Sequence, residues 1–387
     1  MHNGNPRDAV IIGALRTPFG KRGGQFSTWH PVEMLSFTLK GLLERSGIDP
    51  ALVEDVIGGC VDQVGEQALN VTRNAWLDAG LPETTPATTV DRQCGSGLQA
   101  IQFAAQGVMA GGYDLVVACG VENMSRVPLG SNVISADKSP MTQAIRDRYA
   151  VQQFNQAIGA EMIAQKWGLS RSALDEFSAR SHERAANATA KGWLGQEILA
   201  VPGPDGPIGT DQGIRADTTV ERLATLKPAF EGLELLTAGN SSQISDGAAA
   251  VLIASREKAD ELGLTPRARF VGFSQVGSDP VMMLTGPIPA TRKVLQRSGL
   301  STQDIDLFEV NEAFAPVCLA WQEELGVGGD RLNVNGGAIA LGHPLGASGA
   351  RLLLTALHEL ERREGKYALT AICEGGGMAN AAIIERL

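Results

Sequence analysis

The 387-residue chain lacks the features that mark disulfide-stabilised, zinc-binding and membrane-spanning proteins. Its five cysteines are Cys60, Cys94, Cys119, Cys318 and Cys373. They are scattered, odd in number and without Cys-x-x-Cys spacing, which argues against a disulfide framework or a zinc site and predicts a reducing cytoplasm. No apolar run reaches membrane length, and the run Ala9–Ala14 is too short for a signal peptide.

Basic residues are also fewer than acidic ones, so that the formal net charge is −10. A strongly acidic chain is a poor candidate for nonspecific nucleic-acid binding, so we expect no nucleic-acid partner. The overall sign does not exclude an anionic substrate, because a local basic patch would be enough to bind it. Glycine, by contrast, is abundant at 46 residues, many of them clustered. Such clusters indicate tight turns and backbone that packs close to another group.

Short apolar runs alternate with longer segments of helical periodicity, which predicts an α/β fold. Two stretches share one order of elements: a Gly-rich turn, Cys94–Gly97 or Gly346–Gly349, opens a helix that leads into a strand. We interpret this repeated order of elements as duplication of one α/β unit. Between the units the chain is more polar, although Ser170–Ala190 is predicted to be helical with Ser170 as its N-cap. The predicted division is an N-terminal half at 1–120, completed by about 238–266, an inserted loop domain at 121–237, and a C-terminal half at 267–387.

The first segment that could carry chemistry is Asp91–Gly97, in which Cys94 stands at a predicted helix start. Unpaired N–H groups and the helix dipole favour an anion there, so the pKa of the thiol is expected to fall. Gly95 and Gly97 would let a ligand approach the sulfur. The alternative is a buried structural cysteine, the usual state of a free thiol.

Three further segments lie in strand-to-helix or strand-to-strand turns. His343 stands in a glycine-dense loop and could act as the base for a thiol, or could simply bind backbone. Cys373 precedes three glycines, whose N–H groups could form an oxyanion hole or only a hairpin turn. Asn311 follows the predicted strand Leu307–Val310, where site residues are common in α/β folds, or it caps the next helix.

Together these segments resemble the four signature blocks of the thiolase family, in the family's order. Thr237–Ala250 is similar to the family's CoA-loop block, and Arg16–Gly20 and Thr285–Pro289 also match. The resemblance covers essentially the whole chain and is closest to bacterial degradative thiolases. It implies a thiolase-like fold: two duplicated α/β halves in a five-layered α-β-α-β-α core, with an inserted loop domain.

The resemblance implies that Cys94 is the acyl-carrying nucleophile and that His343 takes its proton. Cys373 would act as general acid and base, and Asn311 would hold a water that stabilises the enolate together with His343. The acyl oxygen would lie between the backbone N–H groups of Cys94 and Gly375. Removing one donor of such an oxyanion hole raises the barrier by about 3–4 kcal/mol.

For coenzyme A (CoA), the resemblance implies that Ser242 and Met283 lie along the pantetheine and that Arg215 lies near the nucleotide. CoA would be a substrate, with no resident cofactor or metal, and the chain would form a homodimer or homotetramer. The sequence departs from the family at Asp91, Glu374 and Ala379. If the Glu374 carboxylate points inward, it is expected to raise the pKa of the Cys373 thiol.

Asn155 and Gln156 stand where thiolases that condense two acetyl-CoA molecules usually carry a His-Met pair. This departure predicts a degradative 3-ketoacyl-CoA thiolase that accepts longer or bulkier acyl chains. The stretch Ile57–Gln67 is similar to thiolases of β-oxidation, including those acting on steroid side chains. The alternatives are an acetyl-CoA acetyltransferase, a non-catalytic acyl-CoA-binding or lipid-binding relative and a Cys-His hydrolase, although a hydrolase gives Cys373 no task.

Overall fold

The computed structural model describes residues 5–133, 139–204 and 206–387. Residues 1–4 of the predicted N-terminal half, and 134–138 and 205 of the predicted insertion, lie outside this description. The strands are β1 (Ala9–Arg16), β2 (Gly20–Lys21), β3 (Asp55–Gly59), β4 (Ala87–Val90), β5 (Leu115–Asn123), β6 (Ser245–Ser255), β7 (Ala268–Gly277), β8 (Leu307–Val310), β9 (Tyr367–Glu374) and β10 (Met378–Arg386). The helices are α1 (Pro31–Ser46), α2 (Val71–Asp78), α3 (Ser96–Ala110), α4 (Gln143–Tyr149), α5 (Gln156–Lys166), α6 (Arg171–Ala190), α7 (Val220–Ala224), α8 (Arg256–Glu261), α9 (Pro287–Ser298), α10 (Ala315–Leu325), α11 (Ala338–Leu341) and α12 (Leu345–Arg363).

The strands are connected in the order β4-β3-β5-β6-β1-β7-β10-β9-β8, with β2 beside β6. The two halves meet at β1 and β7, where Val10 and Ile11 lie opposite Arg269 and Ala268. On either side of this junction the arrangement repeats. The order β1-β6-β5-β3 corresponds to β7-β10-β9-β8, and both series are antiparallel, antiparallel and then parallel. The topology therefore confirms the predicted duplication, and β4 is an addition to the first half.

The hydrophobic clusters show how the layers stack. One cluster joins α3 and α12 to inward faces of strands from both halves, so these two helices form the middle layer. A second packs α1 and α2 on the outer face of the first half. A third packs α9 and α10 on the outer face of the second half. Because each half-sheet buries both faces, its strands read as continuous apolar runs, and the layers give the predicted five-layered core.

Local sequence signals account for several helix ends. The helix α6 begins where predicted, because the Ser170 hydroxyl accepts a hydrogen bond from the N–H of Ala173 at 3.2 Å. Gly47 ends α1 in the left-handed conformation that glycine adopts without strain. The strand β8 has the predicted bounds, Leu307–Val310.

The predicted insertion contains the helices α4 to α7, of which α6 was predicted. One of the two alternatives for Asn311 is excluded. Asn311 is not a helix cap, since α10 begins at Ala315 and its N-cap is Phe314. The boundaries 1–120, 121–237 and 267–387 remain predictions. None of the described helices is both long and apolar enough to cross a membrane.

Candidate active site

Cys94 lies in the turn between β4 and α3, directly before the N-cap residue Gly95. The turn is held by Ser96, whose hydroxyl accepts from the N–H of Arg92 at 2.9 Å and donates to the carbonyl of Gln93 at 2.6 Å. Gln93 has a φ of 49°, in the left-handed region, which lets the chain reverse at this point. The Cys94 side chain is therefore held at the start of α3, and the residue is only 5% exposed.

His343 occupies the corresponding place in the second half, two residues before the first residue of α12. Its Nδ1 lies 2.6 Å from the Ser348 hydroxyl, which itself donates to the carbonyl of Pro344 at 2.8 Å. Since that hydroxyl proton is already used, Ser348 must accept, and Nδ1 carries the imidazole hydrogen. The lone pair is then on Nε2, which faces the side-chain amide of Asn311 at 3.3 Å.

Cys373 and Asn311 end two neighbouring parallel strands. The pairing of β8 with β9 places Asn311 beside Cys373, and the Asn311 N–H donates to the carbonyl of Ala371 at 3.0 Å. The Asn311 side chain also lies near enough to the Cys373 thiol to oppose part of the rise that burial causes in its pKa. Both residues are fully buried. The Asn311 amide therefore lies between the imidazole of one predicted block and the thiol of another.

Burial sets the protonation of the site. Loss of solvent raises the pKa of Cys373 to about 12 and lowers that of His343 to about 3. Burial, with the nearby Cys373 and Glu374 as further causes, raises the pKa of Cys94 well above its usual value. The expected fall in the Cys94 pKa is therefore wrong for the resting site, because desolvation outweighs the helix dipole. Before substrate binds, thiol and imidazole are both neutral.

Ser348 was missed by the sequence reasoning, although it lies five residues after His343 in the same Gly-rich block. Replacing it by alanine removes the acceptor for Nδ1–H and lets the imidazole adopt the other tautomer. We expect Ser348→Ala to lower the kcat of acyl transfer by about 10- to 100-fold, because losing the tautomer costs part of the general-base contribution. Steady-state kinetics would measure this loss, with Ser348→Thr as the conservative variant that restores most of it. An unchanged kcat in Ser348→Ala would contradict the tautomer assignment.

Glu122 is a second residue that the sequence reasoning missed. Its carboxylate accepts from the N–H groups of Val61 at 2.9 Å and Asp62 at 3.0 Å, and from that of Gly346 at 2.9 Å. It thereby connects the loop after β3 to the first turn of α12, which directly follows the His343 loop. Burial raises the pKa of Glu122 to about 7. No local pattern could reveal it, because its partners are far away in sequence.

The three predicted CoA residues have different surroundings. The N–H of Ser242 donates to the carbonyl of Ala313 at 2.9 Å, which places Ser242 close to Asn311. Met283 is buried in the same hydrophobic cluster as Cys373. Arg215 is exposed and lines a surface cavity of about 470 Å³. Its backbone N–H donates to Nδ1 of His182 at 3.1 Å, so its position is held by α6.

The three departures from the family pattern have distinct surroundings. Asp91 is exposed and accepts a hydrogen bond from the N–H of Gln93 at 2.6 Å. The Cβ of Ala379 lies against Gly286, where any side chain at position 286 would meet it at 2.7 Å. Glu374 is fully buried and points toward Gly95. When it is ionised, its charge raises the pKa of both Cys373 and Cys94, as expected for Cys373 if the carboxylate points inward.

Known proteins resemble this chain in sequence and in fold. Residues 9–257 match the family model "Thiolase, N-terminal domain", and residues 264–386 match "Thiolase, C-terminal domain". A steroid 3-ketoacyl-CoA thiolase of Mycobacterium tuberculosis is 50% identical over 99% of this chain and 97% of its own length. A 3-ketoacyl-CoA thiolase of Bacillus subtilis is 42% identical over 98% of this chain and 99% of its own. The crystal structure of an acetyl-CoA acetyltransferase of Bacillus anthracis superposes with a TM-score of 0.90 at 38% identity, covering 98% of this chain and 99% of that one.

Proposed function

The chain belongs to the thiolase family, and from this premise we propose that it cleaves 3-ketoacyl-CoA with CoA, in the degradative direction, to acetyl-CoA and a shortened acyl-CoA. The observation that carries the proposal is the Asn311 side chain, which hydrogen-bonds Nε2 of His343 and lies beside the thiol of Cys373. This arrangement gives a second thiol a task beside the nucleophile Cys94. A hydrolase needs one nucleophile and one base, and would have no use for Cys373.

In the first step, Nε2 of His343 takes the proton of Cys94, and the sulfur attacks the ketone carbon of the substrate. The bond between that carbon and the neighbouring Cα breaks, and its electrons form the enolate of acetyl-CoA. Cys373 gives its proton to Cα and becomes a thiolate. A thiol with a pKa of about 12 keeps its proton in the resting site and can deliver it when the enolate forms.

In the second step, the thiol of a free CoA attacks the acyl group on Cys94. The Cys373 thiolate takes the proton of the CoA thiol, and the shortened acyl-CoA leaves. Cys94 departs as a thiolate and regains its proton from the His343 imidazolium. The low pKa of His343, about 3, means that the imidazolium is a strong acid in this site. It therefore returns its proton readily once negative charge appears on Cys94 or on an oxygen.

Oxygen charges develop at two positions in these steps. The backbone N–H groups of Cys94 and Gly375 donate to no other described residue, which makes them available to the acyl oxygen. The enolate oxygen would face His343 and a water bound at Asn311. The Oδ1 atom of Asn311 is buried and accepts no hydrogen bond within the described part of the chain. An acceptor of this kind is suited to a bridging water.

The residues at the start of α5 support the degradative assignment. Asn155 caps α5 by accepting from the N–H groups of Ala157 and Ile158 at 2.9 and 3.2 Å. Its side chain is thus committed to the helix, and neither it nor Gln156 supplies the His-Met pair of the acetyl-specific enzymes. Relatives at 50% and 42% identity are named 3-ketoacyl-CoA thiolases, and the name of the first is steroid 3-ketoacyl-CoA thiolase. We therefore expect acyl chains longer or bulkier than acetyl, including steroid side chains.

Thiolysis of a series of 3-ketoacyl-CoA substrates would test this preference. We expect kcat/KM to rise from acetoacetyl-CoA to longer or branched substrates by about tenfold or more, since each buried methylene contributes about 0.8 kcal/mol. The condensation of two acetyl-CoA molecules, followed in the same preparation, is the comparison reaction. Activity confined to acetoacetyl-CoA would contradict the degradative assignment and support an acetyl-CoA acetyltransferase.

Three coarser expectations belong to the same proposal. CoA is a substrate that Ser242, Met283 and Arg215 would contact, and no resident cofactor or metal is needed for the steps above. The protein would act in the cytoplasm as a homodimer or homotetramer, without a nucleic-acid partner. A non-catalytic acyl-CoA-binding relative is the competing assignment. Mass spectrometry after incubation with acyl-CoA separates the two, because a binding protein would leave Cys94 unmodified.

A further inference from the structure

Glu374 is a buried carboxyl group for which the steps above have no use. It follows Cys373 at the end of β9, and successive side chains of a strand point to opposite faces. Cys373 therefore packs in the outer cluster, while Glu374 points to the middle layer that contains α3. Glu374 is fully buried, and neither of its carboxyl oxygens has a hydrogen-bond partner among the described residues.

The carboxyl group lies against the turn that carries the nucleophile. A Cβ on Gly95 would lie 2.0 Å from Oε1 of Glu374, so the carboxyl occupies the space a side chain at position 95 would need. Gly95 is the N-cap of α3 and supplies no side-chain cap. The positive end of this helix is thus open to two groups that can become anions, the Cys94 sulfur and the Glu374 carboxyl.

The surrounding charges do not neutralise this carboxyl. From the turn before α3 it is faced by Arg92, which attracts its negative charge, and by Asp91, which repels it. Arg92 makes no hydrogen bond to Glu374, and its buried Nε has no partner within the described residues. The remaining titratable neighbours are the thiols of Cys94 and Cys373. A buried carboxylate without donors is costly, so the neutral acid is favoured.

We propose that Glu374 is a positioning residue that acts through Cys94: its carboxyl stays protonated while Cys94 ionises, and its own ionisation in alkaline solution opposes formation of the Cys94 thiolate. This inference rests on the proposed role of Cys94 as the nucleophile. Two anions at one helix end repel each other, so each group ionises at the expense of the other.

The pH range follows from burial, which raises the pKa of Glu374 to about 8. Below that pH the group is a neutral acid, and the Cys94 thiolate fraction rises tenfold per pH unit. Above that pH the Glu374 carboxylate forms, and its repulsion slows the increase of the Cys94 thiolate fraction with pH. We therefore expect a break near pH 8 in the plot of log rate against pH for any reaction of the Cys94 thiolate.

Alkylation of Cys94 by iodoacetamide tests this without any CoA substrate. The rate is followed from pH 6 to 10 by peptide mass spectrometry, which separates Cys94 from Cys373. The wild-type enzyme should show the break, and Glu374→Gln should give a straight line. The ratio of the two rates should grow about tenfold between pH 7 and pH 10, the effect of one pKa unit. Glu374→Ala should behave like Glu374→Gln and serves if the glutamine variant does not fold.

Glu385→Gln, on the neighbouring strand β10, is the matched control, because Glu385 pairs with Arg269 away from Cys94. It should keep the break. A straight line in the wild-type enzyme, or a break that persists in a folded Glu374 variant, would overturn the inference. Failure of acyl-CoA to label Cys94 in the wild-type enzyme would instead defeat the proposed function, and the alkylation curves would still be interpretable.

Discussion

Cys94→Ala is expected to abolish thiolysis, with kcat falling by about 10⁴-fold or more, and to leave no acyl-enzyme. In the proposed mechanism the sulfur carries the acyl chain between the two steps, whereas the Ser96 hydroxyl at the start of α3 is already used in the turn. Removing a nucleophile that acts with a base typically removes nearly all of the catalysis of the unit. Because the side chain is small and already 5% exposed, the fold should tolerate alanine.

Thiolysis rates and intact-protein mass after incubation with acyl-CoA would measure both effects. Cys119→Ala is the matched control, since Cys119 is equally a buried free thiol but lies in the cluster under α1 and α2. It should keep activity within about twofold. An acylated Cys94→Ala protein, or a Cys119→Ala protein with the same loss, would refute the assignment of the nucleophile.

Cys373→Ala is expected to separate the two halves of the reaction. Acylation of Cys94 by an acyl-CoA should persist, because it needs only Cys94, His343 and the oxyanion donors. Cleavage of the carbon–carbon bond should fall by about 10²–10⁴-fold, the usual contribution of a positioned general acid. The residue is buried beside Asn311, so solvent water cannot easily replace its proton.

Exchange of the acetyl protons of acetyl-CoA in heavy water gives a direct measure of Cys373 as the base. Cys94→Ala should still catalyse this exchange, whereas Cys373→Ala should not. Mass spectrometry of acyl-Cys94 in the Cys373→Ala variant supplies the positive control for folding and binding. Loss of both acylation and exchange in Cys373→Ala would indicate a structural role for Cys373. Thiolysis near the wild-type rate in this variant would show that Cys373 has no role in the chemistry.

The fold class and the family can be read from the residues alone. Strand-to-helix turns that approach a ligand need glycine and polar residues at set spacings, and four such segments were readable without coordinates. The bounds of β8 and the cap at Ser170 were equally readable, because each depends on neighbours along the chain. The layer order was implied by the resemblance and agrees with the duplicated strand topology.

The protonation of the site, by contrast, depends on packing between distant segments. A helix start predicts a low pKa for Cys94, but packing beneath distant segments removes solvent and reverses the sign. Asn311 looks like a helix cap locally, and the pairing of β8 with β9 instead brings its amide to His343 and Cys373. The direction of Glu374 depended on which face of β9 meets α3. Solvent exclusion and strand register arise from residues far apart in the chain, so no local pattern could reveal them.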